Sequence, residues 1–190
     1  MILEWLALVF LIVYVPIPVA WLVIHPLVGW WRKHPQLYKW VVIKWVVSAV
    51  FFFSIRAWVW SSQVPLRLLP VIGGVIALSF AVWLDRQRAK VFSYRQLVGL
   101  PEIAPDNHKP VLVTEGIYGR LRHPRYVSYI FSAWGIALIT RFLSVYLAAV
   151  YLTVGLYIVM LLEERELKKR FGKVYDDYMK DVPRWWPRHG

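Results

Sequence analysis

Apolar residues run along this chain in blocks rather than in alternation with polar ones. The blocks cover roughly 2–24, 40–61, 66–84, 124–139 and 142–162. A helix rises about 1.5 Å per residue, so about 20 apolar residues match the hydrocarbon core of a bilayer. The first three blocks predict three transmembrane helices. The last two are separated only by Thr140-Arg141, which predicts an antiparallel helical hairpin. Between them, residues 85–122 are polar and carry "GLPEIAPDNHKP", which predicts an irregular loop with one short amphipathic helix near 86–97. The tail, 163–190, reads as a charged amphipathic helix that stops at Pro183. The predicted fold is therefore all-α and polytopic, with five spans, a C-terminal hairpin and a cytoplasmic amphipathic tail. No internal repeat divides it, so 1–190 is expected to form a single integral membrane domain. Within it, 1–84 supply three N-terminal spans and 85–190 the chemistry-bearing motifs.

Composition agrees. With 59% hydrophobic and 18% charged residues, the chain is too apolar for an ordinary soluble domain. The net charge of +12 would suggest nucleic acid in a soluble protein. Here the Lys and Arg residues concentrate in 25–39, 85–125 and 163–190, while the two intervening turns hold only Arg67 and Arg141. Positive residues favour the cytoplasmic side, which predicts the N-terminus outside and the C-terminus in the cytoplasm. The bilayer then accounts for the charge, and nucleic acid is not an expected partner. Trp30, Trp31, Trp40, Trp58, Trp60, Trp185 and Trp186 fall near span ends, where indoles anchor in headgroups. Met1-Ile2-Leu3-Glu4 lacks the basic start of a cleavable signal, so the first block is expected to be retained. Lys44 and Arg56 lie inside the second block; Lys44 is close enough to its end to snorkel, whereas Arg56 sits deeper, where an intramembrane Arg is a minor functional candidate beside the reading that it reaches headgroups. With no cysteine, thiolate chemistry is excluded, and no metal site is expected.

Two polar clusters stand at span ends. "GRLRHPRYVSYIF" (119–131) sets Arg120, Arg122, His123 and Arg125 against an apolar run. Pro124 suits the first turn of a helix, whose unpaired amides and positive dipole end favour an anion. The second cluster is "EERELKKRFGKVYDDY" (163–178). Glu164–Lys168 and Glu166–Arg170 have the i,i+4 spacing of intrahelical ion pairs, whereas Glu163 caps an apolar stripe without a local cation. The hairpin brings the two clusters to one membrane surface, so His123 and Glu163 are expected to be neighbours. The small residues Ala133, Gly135, Ala137, Ala148, Ala149 and Gly155 are expected to let the hairpin helices approach closely.

"LVTEGIYGRLRHPRY" (112–126), the apolar hairpin and "EERELKKRFGKVYDDYMKDVPRWWP" (163–187) together resemble a family of integral membrane methyltransferases. This family includes isoprenylcysteine carboxyl methyltransferase and the phospholipid N-methyltransferases. The resemblance implies S-adenosylmethionine as cofactor, bound without a Rossmann domain. Consistently, the chain has no G-x-G-x-x-G, and its Gly73-Gly74 pair lies inside a span. By the family pattern, Tyr118, His123, Pro124, Tyr126 and Glu163 line the cofactor pocket, with Leu112 and Val113 offering backbone contacts. Glu164 and Arg122 are the catalytic candidates, and an amine acceptor would need Glu164, Glu163 or His123 as general base. The implied substrate is a lipophilic, membrane-resident carboxylate or amine. Two positions depart from the pattern. His108 stands two residues too early, and Val159 occupies the place of an Arg that the prenylcysteine enzymes carry. Rival readings are an NADPH-dependent membrane sterol-type reductase, whose C-terminal signature is similar, and a non-catalytic membrane subunit on the same scaffold.

Overall fold

The structure, a computed structural model, describes residues 1–34, 36, 43–91 and 111–185. The expectations for His108, Trp40, Trp186 and the 92–110 loop lie outside these residues. All the regular elements described are helices: α1 (Ile2–Tyr14), α2 (Pro16–Ile24), α3 (Val28–Lys33), α4 (Ile43–Ser54), α5 (Arg56–Val59), α6 (Leu68–Ala89), α7 (Pro124–Thr140), α8 (Leu143–Phe171) and α9 (Lys173–Asp181), with a 3₁₀ turn at Gly116–Gly119.

Three stretches are long and apolar enough to cross a membrane: Ile2–Ile24, Leu68–Ala89 and Leu143–Phe171. The first is α1 and α2 in series, with Val15 keeping helical angles and Pro16 opening α2. The other two apolar helices are shorter, 12 residues in α4 and 17 in α7. The second apolar block does not run on as one helix. The Ser54 hydroxyl bonds back to the Val50 carbonyl at 2.7 Å, Ile55 leaves helical geometry, and only the four-residue α5 follows. Arg56 is exposed, donates to the Phe53 carbonyl and lies over the Phe53 ring, an arrangement that engages the guanidinium locally.

Two boundaries differ from the sequence expectation. Residues 86–89 belong to α6 rather than to a separate amphipathic helix. Residues 163–171 belong to α8, which at 29 residues extends about 43 Å and so overshoots a hydrocarbon core of about 30 Å. Charged Glu, Lys and Arg are good helix formers, so polarity alone does not end the helix. It ends at Gly172, whose φ of 54° lets the chain turn back into α9.

The core is built on α7 and α8. Their far ends are tied to the segment after α5: Val64 N–H donates to the Arg141 carbonyl at 2.8 Å and Leu143 N–H to the Ser62 carbonyl at 3.0 Å. Trp134 Nε1 bonds Thr153 Oγ1 across α7 and α8 at 3.1 Å. The glycines do not serve this pair as expected. Gly135 of α7 faces Gly74 of α6, and Gly155 of α8 faces Pro18 of α2. A Cβ on Gly74 would stand 2.9 Å from the Gly135 carbonyl oxygen, whereas one on Gly73 meets nothing within 4 Å.

This contrast gives a paired test. Gly74→Ala is expected to lower stability by about 1–3 kcal/mol, the usual cost of overpacking. Gly73→Ala is expected to be neutral or to stabilise by about 0.5–1 kcal/mol. Thermal unfolding of the two variants in the same detergent reads the difference.

Candidate functional site

The site forms where the start of α7, the polar end of α8 and the returned tail converge. Pro124 is the first residue of α7 and His123 its N-cap, with φ −122°. That conformation turns the imidazole from the apolar run toward α8. There His123 Nε2 lies 3.1 Å from Glu164 Oε1 and Nδ1 3.6 Å from Glu163 Oε2. A carboxylate only accepts hydrogen bonds, so Nε2 carries the hydrogen that Glu164 receives. The His123 ring stacks on Tyr126 at 5.7 Å between centroids.

Glu164 is the hub. Beyond His123 it receives Arg122 Nη2 at 3.1 Å on the same oxygen, and Arg184 in a fork, Nε to Oε1 at 2.9 Å and Nη2 to Oε2 at 2.5 Å. The i,i+4 pair expected with Lys168 does not form, because Glu164 is on the buried face of α8. Lys168 instead reaches Asp176 at 3.5 Å. Glu166 does pair with Arg170 and also takes Arg32 and His25.

Glu163 is drawn to His123, yet its Oε2 is buried without a hydrogen-bond partner. The Tyr175 hydroxyl and Arg122 Nε are in the same condition. Burial pushes the Tyr175 phenol well above its ordinary value, and the neighbouring Glu164 and Glu163 push the same way. Tyr178 is pushed up to about 12 by burial, partly opposed by Arg122, and its hydroxyl donates to the Tyr118 carbonyl at 2.6 Å. Both phenols therefore remain protonated donors at neutral pH.

The tail closes one side. Arg122 N–H donates to the Pro183 carbonyl at 2.9 Å and Arg122 Nη1 to the Met179 carbonyl at 2.9 Å. Trp185 stacks on Tyr157 of α8 at 5.6 Å. A polar cleft of about 670 Å³ opens here, lined by Arg122, Glu164 and Arg184 together with Lys173, Asp176 and Lys180.

Of the residues singled out from the sequence, Arg122, His123, Pro124, Tyr126, Glu163 and Glu164 come together, and Tyr118 joins through Tyr178. Leu112 and Val113 are half-buried in the segment before the 3₁₀ turn, and no hydrogen bond among the described residues ties them to the cluster. Arg125 departs from its expected place in a cationic mouth. It is buried, with Nη2 donating to the Tyr126 hydroxyl at 2.9 Å and the guanidinium over the rings of Trp21 and Tyr126 at 5.0 and 4.9 Å. Arg184 and Tyr175 were missed. The tail's one signal was an arginine between two prolines in "VPRWWP".

A phosphate- or sulfonium-bearing zwitterion would find complementary groups here, cations beside a helix start and a carboxylate oxygen left bare. Comparison with curated protein sequences found no match. The family model described as phospholipid methyltransferase matches residues 69–174, which span α6, α7, α8 and the start of α9. That match covers more than half of the sequence and contains the whole His123–Glu163–Glu164 constellation, so the chain belongs to the phospholipid methyltransferase family.

Proposed function

We propose that this protein transfers a methyl group from S-adenosylmethionine to a lipophilic acceptor resident in the membrane. The family implies methyl transfer to lipid-like substrates. The observation that carries the cofactor assignment is the set of unsatisfied polar atoms, Glu163 Oε2, Tyr175 Oη and Arg122 Nε, around one paired imidazole. Buried polar groups are normally paired, so three bare atoms on converging elements describe a place for a polar ligand. Their chemistry fits a zwitterion. Arg122 and the start of α7 suit its carboxylate, and Glu163 suits its ammonium. When bound, S-adenosylmethionine supplies an electrophilic methyl on a sulfonium.

The chain's own residues align and enclose. His123 orients Glu163, Tyr126 supports the His123 ring, and Glu164 fixes Arg122 through a shared oxygen. Such displacement gains chiefly from positioning and from exclusion of water. Glu164 has both oxygens occupied by cations, so its part is to hold the site together rather than to take a proton. In this reading the shorter α4–α5 and α7 complete five crossings, which places the site on the cytoplasmic side, where Lys and Arg concentrate. No observation favours the reductase alternative.

Direct binding measurements on detergent-purified protein test the proposal. His123→Ala and Glu163→Gln are each expected to weaken S-adenosylmethionine binding by about 10-fold or more, the loss of one charge-assisted contact. Tight NADPH binding without S-adenosylmethionine binding would overturn the assignment.

The tail contributes a second expectation. Truncation after Val182 removes Arg184 and leaves Glu164 with Arg122 and the His123 N–H. Labelled-methyl transfer to total membrane lipid should fall about 10-fold or more while helicity is retained, since unpairing a buried carboxylate costs a few kcal/mol. Full activity in the truncated chain would contradict the role given to the tail.

A further inference from the structure

A second histidine–carboxylate pair lies outside this constellation. His25 follows α2, its side chain is 2% exposed, and its Nδ1 stands 3.1 Å from Glu166 Oε2. Glu166 also receives Arg32 of α3 at 3.1 Å and Arg170 from the next turn of α8. Because the carboxylate only accepts, Nδ1 carries the hydrogen and Nε2 presents its lone pair. That Nε2 is buried and has no hydrogen-bond partner. His25 lies before residue 69, so the family match does not reach it.

The two histidines differ in one chemically decisive respect. His123 faces a carboxylate at each ring nitrogen, whereas His25 is oriented by a carboxylate at one nitrogen and bare at the other. Only the second arrangement is that of a proton acceptor. Position supports the role. Glu166 stands three residues from Glu163 on α8, about one turn away. Trp21 stacks on His25 at 5.3 Å and holds the Arg125 guanidinium over its ring at 5.0 Å, and Arg125 leads on to Tyr126.

We propose that His25, held by Glu166, accepts the proton of a lipid ammonium headgroup and so frees the amine for methylation; the role rests on the methyl-transfer reading above. In the step, one N–H bond of the ammonium breaks, its electron pair stays on the amine nitrogen, and the proton binds His25 Nε2. The resulting imidazolium faces Glu166. Arg32, whose side chain is 37% exposed, sets the cluster beside water, which takes the proton onward. The charged groups facing His25 are Glu166 and Arg170 from α8 and Arg32 from α3. Arg125 of α7 lies across Trp21, and Lys44 of α4 lines an adjoining groove with Ile24 and Trp31. Glu166 is thus the one anion of the group, balanced by its arginines.

The test uses the full chain in detergent, with ¹⁵N-labelled histidine and two probes of equal tail length, dodecylamine and dodecanol. The His25 signals are assigned by their loss in His25→Gln, or in His25→Asn should the first not fold. The proposal expects the His25 Nε2 resonance to move upfield, as that of a lone pair accepting an ammonium N–H does, with dodecylamine and to stay in place with dodecanol. An absent shift, or an equal shift with both probes, overturns it whatever the turnover. In turnover of the amine, His25→Gln is expected to lower kcat about 100-fold and to remove the acidic limb of the pH–rate profile, with S-adenosylmethionine affinity kept within about twofold. If that limb persists in His25→Gln and vanishes in Glu163→Gln, Glu163 is the base and the proposal is overturned. Failure of the methyl-transfer reading shows separately, as absence of S-adenosylmethionine binding to the wild-type chain.

Discussion

Charge burial at the end of α8 is the constraint on which the site depends. Glu164 has lost its water, and an isolated carboxylate there would be strongly unfavourable. Two arginines and one imidazole satisfy it, and they come from two different parts of the chain: Arg122 and His123 before α7, and Arg184 after α9. Forming the pair therefore requires α7 to start beside the end of α8 and the tail to fold back over both. The turn at Gly172 and the bond from Arg122 N–H to the Pro183 carbonyl follow from that requirement. Such a pair contributes modestly to net stability, since desolvation offsets much of the attraction, but removing one partner is costly. Its consequence is a fixed arrangement of the charged side chains around His123.

The helical fold was legible because lipid demands long apolar segments, and such segments are visible in composition alone. The interruptions were less visible. Ser54 and Ile55 sit in an apolar run like any other, and the break there arises from a hydroxyl bonding its own helix. At α8 the opposite happens: hydropathy changes at Glu163, yet the backbone continues to Phe171 because helix formation depends on propensity rather than polarity. Glycine partners were also hidden. Composition shows that a helix can be approached closely, but which neighbour makes the approach depends on how the helices assemble, and Gly135 meets α6 instead of α8.

At the site, the expected proximity of His123 and Glu163 came from short-range geometry, a two-residue link between helices. Glu164 shows where local spacing misleads. An exposed helix would let it pair with Lys168, but burial of that face moved it toward cations far away in sequence, and Lys168 found Asp176. Arg125 looked like a headgroup contact and is packed between aromatic rings, a placement a guanidinium tolerates through its flat, weakly hydrated face. His25 gave almost no signal, a single polar letter in "WLVIHP", because its partner lies 141 positions along the chain.

The touching glycines of α6 and α7 bear on how a lipid reaches the interior. With the Gly74 and Gly135 backbones in contact, an added methyl carbon would already stand 2.9 Å from a carbonyl oxygen, so no acyl tail can pass through that seam. At that level α6 and α7 form a closed seam. On the methyl-transfer reading, the way in for a lipid acceptor then lies along another side of the bundle, between helices that do not touch so closely.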